Sequence, residues 1–151
     1  MTPKRKALPS RFDSPGSSPG FLLWKLSNAW QRRLKRALGR HRLTHVQFVL
    51  LATASWYGES ETLTQSRLSQ LAGVDPMTTS QVLRVLERAR LVQRLSHPKD
   101  PRARALKVTP NGKILARRAV KTVEAADAQF FAPLAKKSEQ LLGLFQALIG
   151  Q

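Results

Sequence analysis

The most constraining stretch of this chain is a four-residue break, Gly73-Val74-Asp75-Pro76, set between two runs of helical periodicity. The first run, Thr64-Gln65-Ser66-Arg67-Leu68-Ser69-Gln70-Leu71-Ala72, opens on a hydroxyl N-cap and places Leu68, Leu71 and Ala72 on one side. Gly73 ends it, because glycine supplies the left-handed backbone that closes a helix. Asp75 then caps a second helix, and Pro76 takes its first position, where a missing N–H costs nothing. From there to Arg90, Thr78, Val82, Val85, Leu86 and Ala89 recur at helical spacing and form the expected buried stripe. Met77, Ser80, Gln81, Arg84 and Arg88 fall on the expected outer side, which has no carboxylate. A helix whose leading end carries donors and small side chains suits the major groove of a nucleic-acid duplex.

The residues after this helix narrow the fold. Leu91 to Leu95 and Ala105 to Val108 alternate with the period of two expected of short strands. Between them, Ser96-His97-Pro98-Lys99-Asp100-Pro101-Arg102-Ala103-Arg104 is a loop with two prolines and three cations. Helix, turn, helix and a hairpin with a basic tip make a winged helix-turn-helix, so the expected class is mainly α with a small β-hairpin. The expected divisions are 1–20 as a flexible basic tail, 44–109 as the winged helix-turn-helix lobe, and 21–43 with 110–151 as the helices through which two copies pair.

The flanking assignments rest on pattern. Residues 1–20 hold Pro, Ser, Gly and the cations Lys4, Arg5, Lys6 and Arg11, with Leu8 and Phe12 as the large apolar groups. Such a stretch buries too little to offset its ordering entropy; it either lies along phosphates or is simply solvated. Leu23, Leu26, Trp30, Leu34, Ala37 and Leu38 give a helix from Phe21 to Arg40. Thr44-His45-Val46-Gln47 is a capping box that starts the next helix, and Phe48 to Ala52 is apolar nearly all round, which marks a core centre. Thr109-Pro110 caps a further helix through Ile114, Leu115, Ala119, Val123 and Ala126 to Phe131. Ala132-Pro133 interrupts it before a last amphipathic stretch with Leu134, Leu141, Leu142, Leu144, Phe145, Leu148 and Ile149. Neither of these has an obvious place to hide its apolar side within one winged helix, which calls for a second copy. Ordinary intramolecular packing is the alternative.

Charge limits the partners. The 151 residues carry 26 Lys and Arg against 9 Asp and Glu, a formal +17. Solubility needs a net charge of only about 2–8 for a small domain, so the excess points to a polyanion, double-stranded DNA above all. No cysteine is present, which removes disulfides, thiolate zinc sites and thiol redox sensing. The N-terminus lacks the apolar core of a signal peptide. The longest apolar run, Phe48 to Tyr57, falls short of the ~20 residues that a bilayer requires. The expectation is a cytoplasmic protein with no membrane association.

Thr78-Thr79-Ser80-Gln81-Val82-Leu83-Arg84-Val85-Leu86-Glu87 with Leu91-Val92, His97-Pro98-Lys99-Asp100-Pro101-Arg102-Ala103, and Leu106-Lys107-Val108-Thr109-Pro110-Asn111-Gly112 together resemble the bacterial MarR (multiple-antibiotic-resistance regulator) family. The resemblance runs from about Phe21 to the C-terminus and is strongest in the wing. It implies a homodimeric, sequence-specific transcriptional regulator, usually a repressor, whose first and last helices interlock between copies. It also implies that Arg102 enters the minor groove and that Asp100 steadies the loop. Pro101 departs from the family, where many relatives carry a second cation. The resemblance further implies release of DNA by an aromatic or phenolic acid bound between the dimer base and the DNA lobe. Trp24, Trp30, His41, His45 and Phe48 are the candidates to line that cleft.

For base reading, the residues themselves nominate Ser80, Gln81 and Arg84, with Thr79 or Met77 near a thymine methyl. Gln pairs with adenine and Arg with guanine by two hydrogen bonds each. Thr78 points partly inward, towards packing or capping. Lys99 and Arg104 add phosphate contacts beside Arg102, whose guanidinium also fits a narrow, electronegative minor groove on physical grounds. No catalytic, metal or cofactor site is expected: His41, His45 and His97 lie on separate segments, Thr44 puts a helix start between the first two, and no nucleotide-binding glycine motif occurs. A non-specific or architectural winged-helix protein remains the alternative to a regulator, since charge drives both. An RNA-binding winged helix fits less well.

Overall fold

The computed structural model describes residues 8–150; the basic residues Lys4, Arg5 and Lys6 lie outside them. A 3-10 turn, Pro15–Ser17, leads into α1 (Pro19–Gly39), which starts within the stretch read as tail because Ser18 caps it and Pro19 occupies its first turn. The chain continues through α2 (His45–Tyr57), α3 (Gln65–Ala72), α4 (Pro76–Arg88), β1 (Val92–Ser96), β2 (Arg104–Val108) and α5 (Pro110–Phe130). A 3-10 segment, Ala132–Lys137, then precedes α6 (Ser138–Ile149). The strands pair antiparallel from Val92 with Val108 to Ser96 with Arg104. The Leu106 amide donates to the Leu63 carbonyl at 2.8 Å, tying the hairpin to the chain ahead of α3.

Helix starts obey the expected chemistry. Thr44 and Gln47 form a reciprocal capping box, and Thr64, Asp75 and Thr109 each accept an amide hydrogen bond from the first turn they cap. α2 is the centre of the core: Phe48, Leu50, Leu51 and Ala54 are buried, and α1, α3, α4, α5 and β2 pack around it.

Two packing expectations are corrected. The buried stripe of α4 is Thr79, Leu83 and Leu86, with Val82 partly covered, whereas Val85 and Ala89 are exposed. Apolar residues at 82, 83, 85 and 86 offer two helical stripes, and contact with α2 and β1 selects the one through Leu83. α5 also finds cover within the chain: Gly112, Ala116, Ala119, Val123 and Ala126 are buried, chiefly against α1 and α2, while Ile114 points out. Among the described residues, α6 and the leading half of α1 keep bare apolar faces. α6 buries no residue, and Ile149 is 83% exposed. Among the described residues, no helix is long and apolar enough to cross a membrane.

Candidate nucleic-acid interface

The angle between α3 and α4 is held by a small polar clip. Gly73 takes φ +63°, and the Gly73 and Val74 amides donate back to the Gln70 and Ser69 carbonyls, a Schellman closure. The Val74 carbonyl, thus pointed inward, accepts the Ser69 hydroxyl at 2.6 Å and the Thr79 hydroxyl at 3.4 Å. Ser69 and Thr79 are the buried polar residues among those described. This overturns the placing of Thr79 beside a thymine methyl: its side chain is 0% exposed and spent inside. Asp75 accepts the Thr78 amide at 2.9 Å, and the Thr78 hydroxyl and amide together hold the Asp75 carboxyl below its usual range. Thr78 is accordingly half-buried and occupied with the cap.

The remaining outer face of α4 is open. Met77 is 72% exposed, Gln81, Arg84 and Arg88 are exposed, and Ser80 is partly so. Glu87, the acidic group of this helix, is drawn aside by Arg94 of β1, whose Nε lies 3.5 Å from its carboxylate. Arg94 Nη2 also donates to Gln65 Oε1 at 3.1 Å, at the first position of α3. One guanidinium therefore fixes the hairpin against both helices of the motif. Sequence reading did not find Arg94, since a cation on a strand carries no mark of two partners on other elements.

The hairpin tip, 97–103, is ordered by hydrogen bonds to its own amides. Asp100 Oδ1 accepts the Arg102 amide at 2.9 Å, and the Ala103 amide donates to the Asp100 carbonyl at 3.1 Å. His97 Nδ1 accepts the Lys99 amide at 3.2 Å and the Asp100 amide at 3.1 Å. Lys99, Arg102 and Arg104 extend into solvent around this frame.

The five residues expected around one ligand cleft do not meet there. Trp30 Nε1 donates to Asp127 Oδ1 at 2.7 Å, His41 Nε2 pairs with the Thr122 hydroxyl at 2.8 Å, and Phe48 is in the core; all three join α1 or α2 to the rest of the base. Their partners lie far away in sequence, so the apolar stripe alone could not show them committed. His45 packs edge-on to Trp30 and borders a cleft of about 490 Å³ with Arg32, Lys35 and Arg42. Trp24 lines a separate one of about 380 Å³. A larger cleft of about 720 Å³, missed from sequence, lies between α2 and α5: Ala52, Ala116 and Val120 line it beside the exposed Trp56, with Arg117 and Lys121 among its polar groups. Glu59 and Lys113, also lining it, are paired with each other.

A helical base carrying a winged helix-turn-helix, with an uncovered cationic face on the second helix and a basic wing, defines a DNA-binding transcriptional regulator. Comparison with known proteins agrees. The MarR family model matches residues 43–103. The chain is 39% identical over 140 residues to the HTH-type transcriptional regulator YdcH of Bacillus subtilis, covering 92% of this chain and 95% of that one. It is 34% identical over 115 residues to the HTH-type transcriptional repressor Rv2887 of Mycobacterium tuberculosis (76% and 81% covered). The crystal structure of Rv2887 with salicylic acid superposes with a TM-score of 0.68 at 31% identity, covering 87% of this chain and 96% of that one. A probable transcriptional regulator from Pseudomonas aeruginosa superposes at 0.79 and 25% identity, with 89% and 99% covered. The chain belongs to the MarR family of transcriptional regulators.

Proposed function

We propose that the chain is a homodimeric repressor of a near-palindromic operator, released by an aromatic acid. The observation that carries the DNA reading is the outer face of α4, where Gln81, Arg84 and Arg88 are exposed and their side chains engage in no hydrogen bond or ion pair among the described residues. Gln81 and Arg84, with Ser80 and Met77 beside them, read base edges; Lys99, Arg102 and Arg104 engage the adjacent backbone and minor groove. The bare faces of α6 and of Phe21, Leu22, Leu23, Trp24 and Leu26 on α1 favour pairing through 21–43 and the end of 110–151. Footprinting on the operator should show two protected half-sites about 34–36 Å apart, one duplex turn. A single isolated half-site would overturn the dimeric reading.

The net charge of +17 supports the rival reading of a non-specific binder. Salt titration separates the two, because only the regulator keeps a large preference for its operator over random DNA at physiological ionic strength. The ligand reading rests on the α2–α5 cleft, whose apolar floor and Trp56 suit a planar ring and whose Arg117 and Lys121 suit a carboxylate. Rv2887, crystallised with salicylic acid, is a relative that supports it. Calorimetry with salicylate should give heat that Trp56→Ala abolishes. No heat and unchanged DNA affinity would make the protein a constitutive binder.

A further inference from the structure

We infer that His97 is the positioning residue of the wing, and that it sets Arg102 for the minor groove without touching DNA itself. This rests on the reading of Arg102 as a DNA contact.

The hairpin tip has no regular pairing to hold it beyond Ser96 and Arg104. It contains Pro98 and Pro101, which lack amide donors, so the amides of Lys99, Asp100, Arg102 and Ala103 are what can fix its path. Each of these four has a partner, and the partners form a chain. His97 Nδ1 takes two of them, from Lys99 and Asp100, and so pins the backbone that carries the Asp100 carboxylate. Asp100 Oδ1 and the Asp100 carbonyl take the other two, from Arg102 and Ala103. Position 97 therefore acts as a cap for the turn, as Asp or Asn does elsewhere, through a ring nitrogen attached to Cγ. An Nδ1 that accepts two amides carries no hydrogen, which puts the proton of the neutral ring on Nε2. The imidazole is half-buried in the loop, and the side chain of Arg102 is exposed, so the ordering group and the DNA-facing group are distinct.

Asparagine places an acceptor oxygen on the same Cγ, so His97→Asn should keep the frame and His97→Ala should lose it. The probes are two labelled duplexes of equal length, one centred on an A-tract with a narrow minor groove and one G·C-rich. Wild type and His97→Asn should prefer the A-tract duplex. His97→Ala should lose about tenfold on it, within the range of one specific contact. The double variant His97→Ala/Arg102→Ala should bind no more weakly than Arg102→Ala alone, since the histidine acts through the arginine. Thermal midpoints of all variants should agree, the tip being remote from the core. Additive losses, or an Asn variant as weak as Ala, would overturn the role of His97. If Arg102→Ala itself changes nothing, the wing reading fails instead, and a loss in His97→Ala that persists without Arg102 would sink the positioning role with it.

Discussion

Arg84 is a long cation on a face with no carboxylate to hold it, and its replacement by Ala removes a contact without leaving a buried partner unpaired. If it reads a guanine, the change should cost ~1–3 kcal/mol on the preferred site and less on random DNA. Equal losses in a fluorescence-anisotropy comparison would reassign it to a phosphate. His45 sits at the other end of the lobe with a different dependence. Burial holds its imidazole below the ordinary value of 6.5, while Asp127 pulls the opposite way. As the pH falls through 6.5 the unfolded chain takes up this proton before the folded one does. The contribution is therefore complete above that pH, declines below it, and levels off once the folded ring is also charged. Urea midpoints of wild type should drop on acidification more than those of His45→Gln; parallel curves would remove His45 from the acid response.

The caps of α2, α3, α4 and α5 were legible because each is a local pattern: an oxygen-bearing side chain, then an amide three residues on. The phase of α4 was not, because its buried hydroxyl, Thr79, is satisfied by a carbonyl that only the preceding turn aims at it. The end of α4 was hidden for a similar reason. Arg90 takes φ +56° at a position where glycine is usual, and the Leu91 amide closes on the Leu86 carbonyl at 2.9 Å. The wing's basic loop could be seen in the sequence, whereas the use of Arg94 as a hub depended on a register set by the hairpin, and that of His97 on a ring nitrogen standing where a cap is usually an oxygen. Glycines sharpen the contrast between strain and space. At Gly73 a methyl meets open space, so Gly73→Ala should cost only the left-handed backbone, about 1–2 kcal/mol. At Gly112 an added Cβ would lie 2.1 Å from the Leu91 carbonyl oxygen, where the start of α5 presses on the strand entrance. Gly112→Ala should cost about 1–3 kcal/mol by overpacking. It should also perturb the hairpin amides in hydrogen exchange, which Gly73→Ala should leave alone.

At the level of the whole molecule, α6 and the leading half of α1 carry the bare apolar faces through which we propose that two copies pair. Placing Glu at both Leu142 and Leu148, which are exposed and make no core, should spare the fold of α1–α5 while blocking association. Sedimentation should then show a monomer, and operator affinity should fall about a hundred- to ten-thousand-fold as the second half-site is lost. An unchanged dimer would place the seam elsewhere. α5 makes such a seam matter at a distance. It is capped by Thr109, whose hydroxyl grips the Arg90 carbonyl at 2.7 Å beside the hairpin, and runs unbroken from Pro110 to Phe130, with Asp127 clasped by Trp30 of α1. A rod of 21 residues is about 31 Å long, so a tilt of about 5° at its distal end sweeps the wing through roughly 3 Å. That displacement is comparable to a base-pair step, so in the proposed dimer a slight lean of this strut in each copy would carry the reading heads out of step with the duplex without any refolding.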